Sequence, residues 1–317
     1  MVNFLLKIHA YFYGLNDRKH YKGKNNLMWI LTNLMSYISE WIVCKIIIIR
    51  NMLGFMPYTK SSKEDELIVS MTSYPARIEN VWMVIDSILR QTIKPSHFQI
   101  WLSEENFPGK EMDLPKKLLK YKQYGLEICW TKDDLGPHKK YLYAFLKYPN
   151  KCVITIDDDL YYRKDMLEKL WKLHLEFPNA VCGHRGGVVN PLELYNKWNG
   201  KYIAKRPSHQ YYLTGCGGII YPVFLFDLRL LNNISSIRRT SLYTDDLWMK
   251  AMELLNNIPV VIGEYYCNPP TLPHSKKNAL MNKNCSEKKG RNDLSWEALN
   301  KEYNINKILN DLQAKIN

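Results

Sequence analysis

Hydrophobic and polar positions follow two different patterns along the 317-residue chain, and the change falls near residue 60. Beyond it, short apolar runs rich in β-branched residues alternate with segments of helical period. Leu67–Met71, Phe98–Leu102, Leu126–Trp130, Cys152–Ile156, Ala180–Cys182 and Ile258–Ile262 read as buried strands. Between them, residues 78–91 place Val81, Ile85, Ile88 and Leu89 on one helical face, and residues 138–147 and 164–176 also read as helices. Asp113–Tyr124 reads as a further helix, with Pro115 in its first turn. Strands alternating with helices predict an α/β domain with a mostly parallel sheet, which binds ligands at the carboxyl ends of its strands.

Before residue 60 the pattern is different. Lys7, Arg18, Lys19, Lys22 and Lys24 precede an apolar stretch from Leu27 to Met56 that only Glu40, Lys45 and Arg50 interrupt. Burying such charges at the centre of a bilayer costs about 2.5–3.5 kcal/mol each. An interfacial amphipathic helix would keep them in the headgroup layer. The competing reading is a helical hairpin packed on the α/β domain. The expected organisation is a basic, apolar extension over 1–60, the α/β domain over 61–275, and a polar, lysine-rich tail over 276–317. Trp296–Leu312 is expected as a peripheral helix in that tail.

Charge sharpens this division. The formal net charge is +13, and ten of those charges sit in residues 1–60 and 276–317, leaving the middle of the chain near balance. A nucleic-acid binder carries its basic stripe on the folded module itself, so no nucleic-acid partner is expected. An anionic membrane surface is. The seven cysteines are scattered and contain no C-x-x-C, which points to free thiols in a reducing compartment. A cytoplasmic protein, peripheral on the inner face of the membrane, is the expectation.

The sharpest chemical signal is Asp157-Asp158-Asp159, directly after the apolar run Cys152–Ile156. If the strand continues extended, Asp157 and Asp159 point to one side and Asp158 to the other. Two carboxylates on one side make a hard, oxygen-rich site for Mg²⁺ or Mn²⁺. The plainer reading is an acidic loop with one Asp capping the next helix.

This tripeptide after an apolar strand resembles the D-x-D motif of GT-A-fold glycosyltransferases, of the bacterial family-2-like and exostosin-like kinds. Ile68-Val-Ser-Met-Thr-Ser-Tyr-Pro-Ala-Arg77 resembles the first strand and loop of that fold. The resemblance implies transfer of a sugar from a nucleotide-diphosphate donor to a capsule, lipopolysaccharide or lipid-linked acceptor. It implies Asp159 as the direct metal ligand, with Asp157 on a metal-bound water or the ribose and Asp158 on the ribose or donor sugar. Thr72, Ser73, Tyr74 and Arg77 would lie by the nucleotide. The late His274 would be another metal ligand.

Three more segments follow in order. Asp133-Asp134-Leu-Gly136-Pro137-His138-Lys139-Lys140 sets a turn before a helix, which suits a phosphate through free N–H groups and ammonium charge. By the resemblance Asp133, His138, Lys139 and Lys140 face the nucleotide; otherwise they form a solvated helix end. Gly215-Cys-Gly217-Gly218 permits close backbone approach to a donor sugar or acceptor, or is a turn with no ligand. Asp245-Asp246 after Thr244 reads either as the first turn of a capped helix or as the family's acidic pair. In the second case Asp246 is the base that deprotonates the acceptor, or a stabiliser of an oxocarbenium-like state in a retaining enzyme.

Two other classes compete. A sugar-phosphate nucleotidyltransferase also uses paired Asp and Mg²⁺, but opens with a glycine-rich loop that Ser70-Met-Thr-Ser-Tyr-Pro lacks. A non-catalytic carbohydrate-binding or membrane-associated protein has no use for clustered acids.

Overall fold

The computed structural model describes residues 2–17, 27–55, 67–200, 204–264, 270–272, 284–285 and 289–314. Two helices, α1 (Val2–Asp17) and α2 (Leu27–Met52), precede the first strand, β1 (Leu67–Thr72). Then come α3 (Val81–Leu89), β2 (His97–Ser103), α4 (Lys116–Leu119), β3 (Leu126–Thr131), α5 (Lys139–Lys147), β4 (Cys152–Thr155) and α6 (Met166–Glu176). A strand-rich stretch follows: β5 (Val181–Gly183), β6 (Gly186–Val188), β7 (Asn199–Gly200), β8 (Ala204–Ser208), β9 (Tyr211–Leu213) and β10 (Ile219–Pro222). The chain continues through α7 (Leu228–Leu231), α8 (Ile234–Thr240), α9 (Asp245–Leu255), β11 (Val260–Ile262), α10 (Arg291–Tyr303) and α11 (Ile305–Ala314).

Eight strands form one sheet in the order β3-β2-β1-β4-β10-β5-β11-β8. The first four are parallel, β5 and β11 are parallel to each other, and β10 and β8 run against their neighbours. Both faces of β1 are buried. Leu67, Val69 and Met71 pack with α3 and α6, while Ile68 packs with α5 and α9 on the other side. That explains the near-continuous apolar reading of this strand. From β1 the order runs one way to β2 and β3 and then returns to β4 on the other side. The crevice between the ends of β1 and β4 is therefore the switch point where such sheets bind ligands. Ile219 of antiparallel β10 pairs with Thr155 at the end of β4, so the glycine segment 215–218 reaches the same edge.

Three sequence expectations are corrected. The helix expected over Asp113–Tyr124 is broken into a 3₁₀ turn at Lys110–Asp113, the single-turn α4, and a 3₁₀ stretch at Lys120–Tyr124. Gly125, at φ +101°, ends it. The expected peripheral helix Trp296–Leu312 is two helices, divided at Asn304 in the left-handed region (φ 54°). They are not peripheral: Trp296, Leu299, Ile305 and Leu309 are buried in the core on the α5/α9 side. Polar composition hid an apolar stripe at helical spacing.

The N-terminal helices pack against each other and, through Leu6, Val43 and Ile47, against the core on the α3/α6 side. Among the described residues one helix, Ile30–Met52, is long and apolar enough to cross a membrane, with a mean hydropathy of 1.3 and 33% of that window buried in protein. The foot of α2 is fixed by charge. Arg50 donates to buried Asp86, which also receives Arg90 Nε at 2.9 Å and the Tyr161 hydroxyl at 3.0 Å. Removing Asp86 would leave two cations facing each other without their carboxylate. Asp86→Ala is expected to lower stability by about 3 kcal/mol in denaturant unfolding; a change under about 0.5 kcal/mol would show that this network does not hold the helices to the domain.

Candidate active site

The loop after β1, the loop after β4 and the N-terminus of α9 meet at the carboxyl edge of the sheet. Asp157, Asp158, Asp159, Asp245 and Asp246 gather there around two cations. Arg77 Nη1 donates to Asp158 at 2.6 Å, and its Nη2 lies 3.2 Å from Asp159. Lys140 Nζ lies 3.0 Å from Asp157 and 2.7 Å from Asp245. Ser73 Oγ also donates to Asp158. Arg77 stands over the ring of Tyr74, 5.6 Å from its centroid. Thr72 is turned into the sheet, with Oγ1 donating to the Trp101 carbonyl at 2.8 Å.

The expected alternation of the three acids is corrected. β4 ends at Thr155, and the chain turns at Asp158 and Asp159, so these two share Arg77 while Asp157 faces Lys140. Exposure separates them in a different way. Asp158 is 7% exposed, whereas Asp157 and Asp159 keep 29% and 17%, and so hold the oxygens open to a ligand. Tyr162, which the sequence reading passed over, braces the turn: its hydroxyl accepts the Asp157 N–H at 3.0 Å. Its position just past the acids was the available signal.

The basic trio does not act as one. Consecutive residues of a helix point about 100° apart, and only Lys140 reaches the acids. The expectation that His138 and Lys139 present themselves to a phosphate is corrected: both are buried and paired inside. Lys139 is bound to Asp134, which also caps the turn by accepting the Gly136 N–H at 3.0 Å. His138 Nε2 lies 2.8 Å from the Ser241 carbonyl. A carbonyl only accepts, so Nε2 carries the proton and Nδ1 accepts from the Tyr141 hydroxyl. Asp133 is on the surface, 67% exposed and 3.2 Å from Arg238.

Burial pushes the His138 imidazole down to about 4. The unfolded chain takes up this proton near pH 6.5 and the folded chain only near 4. This histidine therefore costs stability as pH falls from 6.5 to 4, by an amount on the order of 3 kcal/mol. A His138→Gln variant is expected to lose that part of the acid limb, read as unfolding free energy against pH; an unchanged limb would refute the assignment.

The glycine segment is explained from within. A Cβ on Gly215 would stand 2.7 Å from Asp157 Oδ1 and 3.1 Å from Lys140 Nζ, so the backbone here lies directly on the ion pair. Gly217 is buried in the 3₁₀ turn Gly215–Gly217. Gly218, at φ +77°, faces Met166 and Leu170 of the core. Trp198 and Tyr212 are likewise core, packed with Tyr195 and Trp296.

Electrostatics divide the acids. Burial, with Asp157 and Asp158 alongside, pushes the Asp159 carboxyl up to about 7 against the pull of Arg77 and Lys140. Burial and the neighbouring Asp245 push Asp246 well above the ordinary carboxylate range. Burial acts on Asp245 too, but Lys140 at 2.7 Å outweighs it and holds Asp245 low. Lys140 is held charged: burial opposes this, and Asp157, Asp245 and Asp246 overcome it.

With Asp246 holding its proton, four carboxylates still face two cations and leave negative charge uncompensated. Among the described residues no three His, Cys, Asp or Glu side chains form a ready-made metal nest. Hard oxygens with surplus charge do fit Mg²⁺ or Mn²⁺ of the open type, held by one or two carboxylates and completed by substrate phosphates and water. His274, the expected late ligand, lies outside the described residues.

A doubly covered sheet with an acid cluster at its switch point is the arrangement that the resemblance to the GT-A fold implies. Residues 69–226 match the model of glycosyl transferase family 2. Over this span the chain is a family-2-like glycosyltransferase domain of the GT-A fold. Among solved structures it is similar to S. aureus TarS in complex with UDP (17% identity, 62% of this chain and 57% of that one, TM-score 0.39). It is also similar to the mannosyltransferase PcManGT from Pyrobaculum calidifontis in complex with GDP-Man and Mn²⁺ (10% identity, 99% and 85%, TM-score 0.41). A third likeness is to 4-diphosphocytidyl-2C-methyl-D-erythritol synthase (11% identity, 68% and 98%, TM-score 0.41). The chain thus spans little more than half of that TarS chain. No curated protein sequence matches it.

Proposed function

We propose that this enzyme moves a sugar from a nucleotide-diphosphate donor to a surface-glycan or lipid-linked acceptor, with Mg²⁺ or Mn²⁺ as cofactor. The observation that carries the reading is the meeting of partly exposed Asp157 and Asp159 with Asp246, whose proton affinity is raised, at a single site. Asp159 and Asp157 would hold the metal, which when bound supplies Lewis-acid neutralisation of the leaving diphosphate. Arg77, steadied by Asp158 and the Tyr74 ring, is a fixed cation at the edge where donor phosphates would lie. Lys140, clamped between Asp157 and Asp245, keeps Asp245 ionised. That fixed charge beside Asp246 raises its affinity for a proton, and in its ionised form Asp246 would take the proton of an acceptor hydroxyl.

The proposed location is the inner face of an anionic membrane. The foot of α2 grips the domain through Val43, Ile47 and Arg50, which favours a helix lying at the surface over one withdrawn into a span. The test of function is thermal unfolding of the full chain with UDP, GDP, CDP or ADP sugars, each with and without Mn²⁺. One base class is expected to raise Tm by several degrees only with the metal, a gain on the order of 2–3 kcal/mol at a hundredfold excess over Kd. Equal response to all or to none would overturn the donor reading.

A further inference from the structure

Over residues 27–41 the helix pair α1–α2 is built inside out, whereas further on Val43 and Ile47 pack on the domain core. On α2, Leu27, Ile30, Leu34, Ile38 and Trp41 recur at helical spacing and are exposed, Trp41 by 63%. The opposite side, against α1, holds Thr32, Ser36 and Ser39, all buried. There His9 of α1 meets the Ser36 carbonyl and the Ser39 hydroxyl, each at 3.2 Å. In water such a pair would turn the other way round. Polar groups between helices and apolar groups outside is the arrangement of helices whose solvent is lipid.

At the base of this pair, where α1 begins and α2 ends, lies a cavity of about 230 Å³. Its wall carries Arg50, Arg90, Lys94 and Lys164 and no acid; Asp86, which answers two of them, is buried behind it. Tyr161 and the start of α1 complete the wall. Burial and the nearby Arg90 both work against the charge on Lys94, so an anion in the cavity would relieve it.

We propose that this cavity seats the phosphate of an anionic membrane lipid while the apolar face of α2 enters the acyl boundary. The proposal deepens the membrane location argued above and rests on it; it is independent of the donor site. An apolar face opening beside four cations complements a lipid, which joins apolar chains to a phosphate. Tyr162, the neighbour of Tyr161 in the same wall, also braces Asp157, so a bound headgroup would lie directly behind the acid cluster.

The test is co-sedimentation of the full chain with phosphatidylglycerol or phosphatidylcholine vesicles, beside thermal unfolding in inorganic phosphate. Wild type is expected to bind the anionic vesicles. Lys94→Gln/Lys164→Gln should bind them at least tenfold more weakly, since each basic residue at an anionic surface contributes about 1 kcal/mol. Lys116→Gln/Lys120→Gln removes the same charge from exposed positions outside the cavity and is expected to bind nearly as wild type. Equal loss in both double variants would overturn the cavity site and leave the membrane location standing. Failure of wild type to sediment would overturn both. Stabilisation by inorganic phosphate, lost in Lys94→Gln/Lys164→Gln and with no vesicle binding, would assign the site to free phosphate and overturn the lipid.

Discussion

Asp159→Asn is expected to reduce sugar transfer by roughly 10³-fold and to leave the folded protein at least as stable as wild type. Asp159 is partly enclosed beside two other acids, and desolvation with their charge pushes its carboxyl up to about 7. Asparagine keeps the shape and carries no charge, so the repulsion within 157–159 falls. The loss is one contact to Arg77 at 3.2 Å, and Arg77 keeps its shorter bond to Asp158. If Asp159 is the open ligand, the variant also loses the extra stabilisation that Mn²⁺ gives in the presence of the donor nucleotide. Initial rates of transfer and a melting curve with and without Mn²⁺ check this. Full activity would sink the metal assignment, and a large fall in stability would show that Asp159 is a structural ion-pair partner instead.

How far the sequence could be read depends on whether a residue's role was set by its neighbours in the chain or by distant ones. The strand before Asp157 announced itself because it is buried on both faces, and a run of β-branched residues has few other uses. That three acids follow it was enough to locate the site. Their sidedness was not readable, because it depends on the turn at Asp158 and on Arg77, about eighty positions away in the chain. The segment 138–140 shows the same limit. Three basic residues in a row look equivalent, but helical geometry sends each to a different place, and what each meets is fixed by α9 and by the loop carrying Asp134. Gly215 was singled out for an approach to sugar; the structure shows an approach to Asp157 and Lys140. In α10 and α11 the apolar stripe was present in the sequence, and a lysine-rich composition masked it.

The charge pattern changes in the same way. The near-balanced middle of the chain is not locally balanced: acids exceed bases at the switch point, and bases exceed acids in the cavity under α1. Tyr162 joins the two, lining the cavity while its hydroxyl accepts the Asp157 N–H. A protein gains nothing in stability from collecting like charges, so each imbalance asks for a partner from outside. The acid cluster asks for a cation and the basic cavity for an anion.

Asp246→Asn is the second large effect, expected to lower kcat by about 10²–10⁴-fold while donor-nucleotide binding stays within a few-fold of wild type. Asp246 is partly enclosed, pushed well above the ordinary carboxylate range by desolvation and by Asp245, and receives a backbone N–H from Gly215. Asparagine can accept that same N–H, so the glycine turn should hold, but it cannot take a proton from an acceptor hydroxyl. Asp245→Asn should behave differently. Asp245 is bound to Lys140 at 2.7 Å, and without it Lys140 keeps only Asp157 at 3.0 Å. The raised proton affinity of Asp246 owes part of its size to the charge of Asp245, so Asp245→Asn is expected to shift the acid limb of kcat to lower pH, where Asp246→Asn removes that limb. The two profiles, measured with one donor and one acceptor, distinguish a base from its neighbour. If Asp246→Asn keeps full kcat, or if it lowers donor binding as much as kcat, the proton is taken elsewhere and Asp246 belongs to the fold of α9.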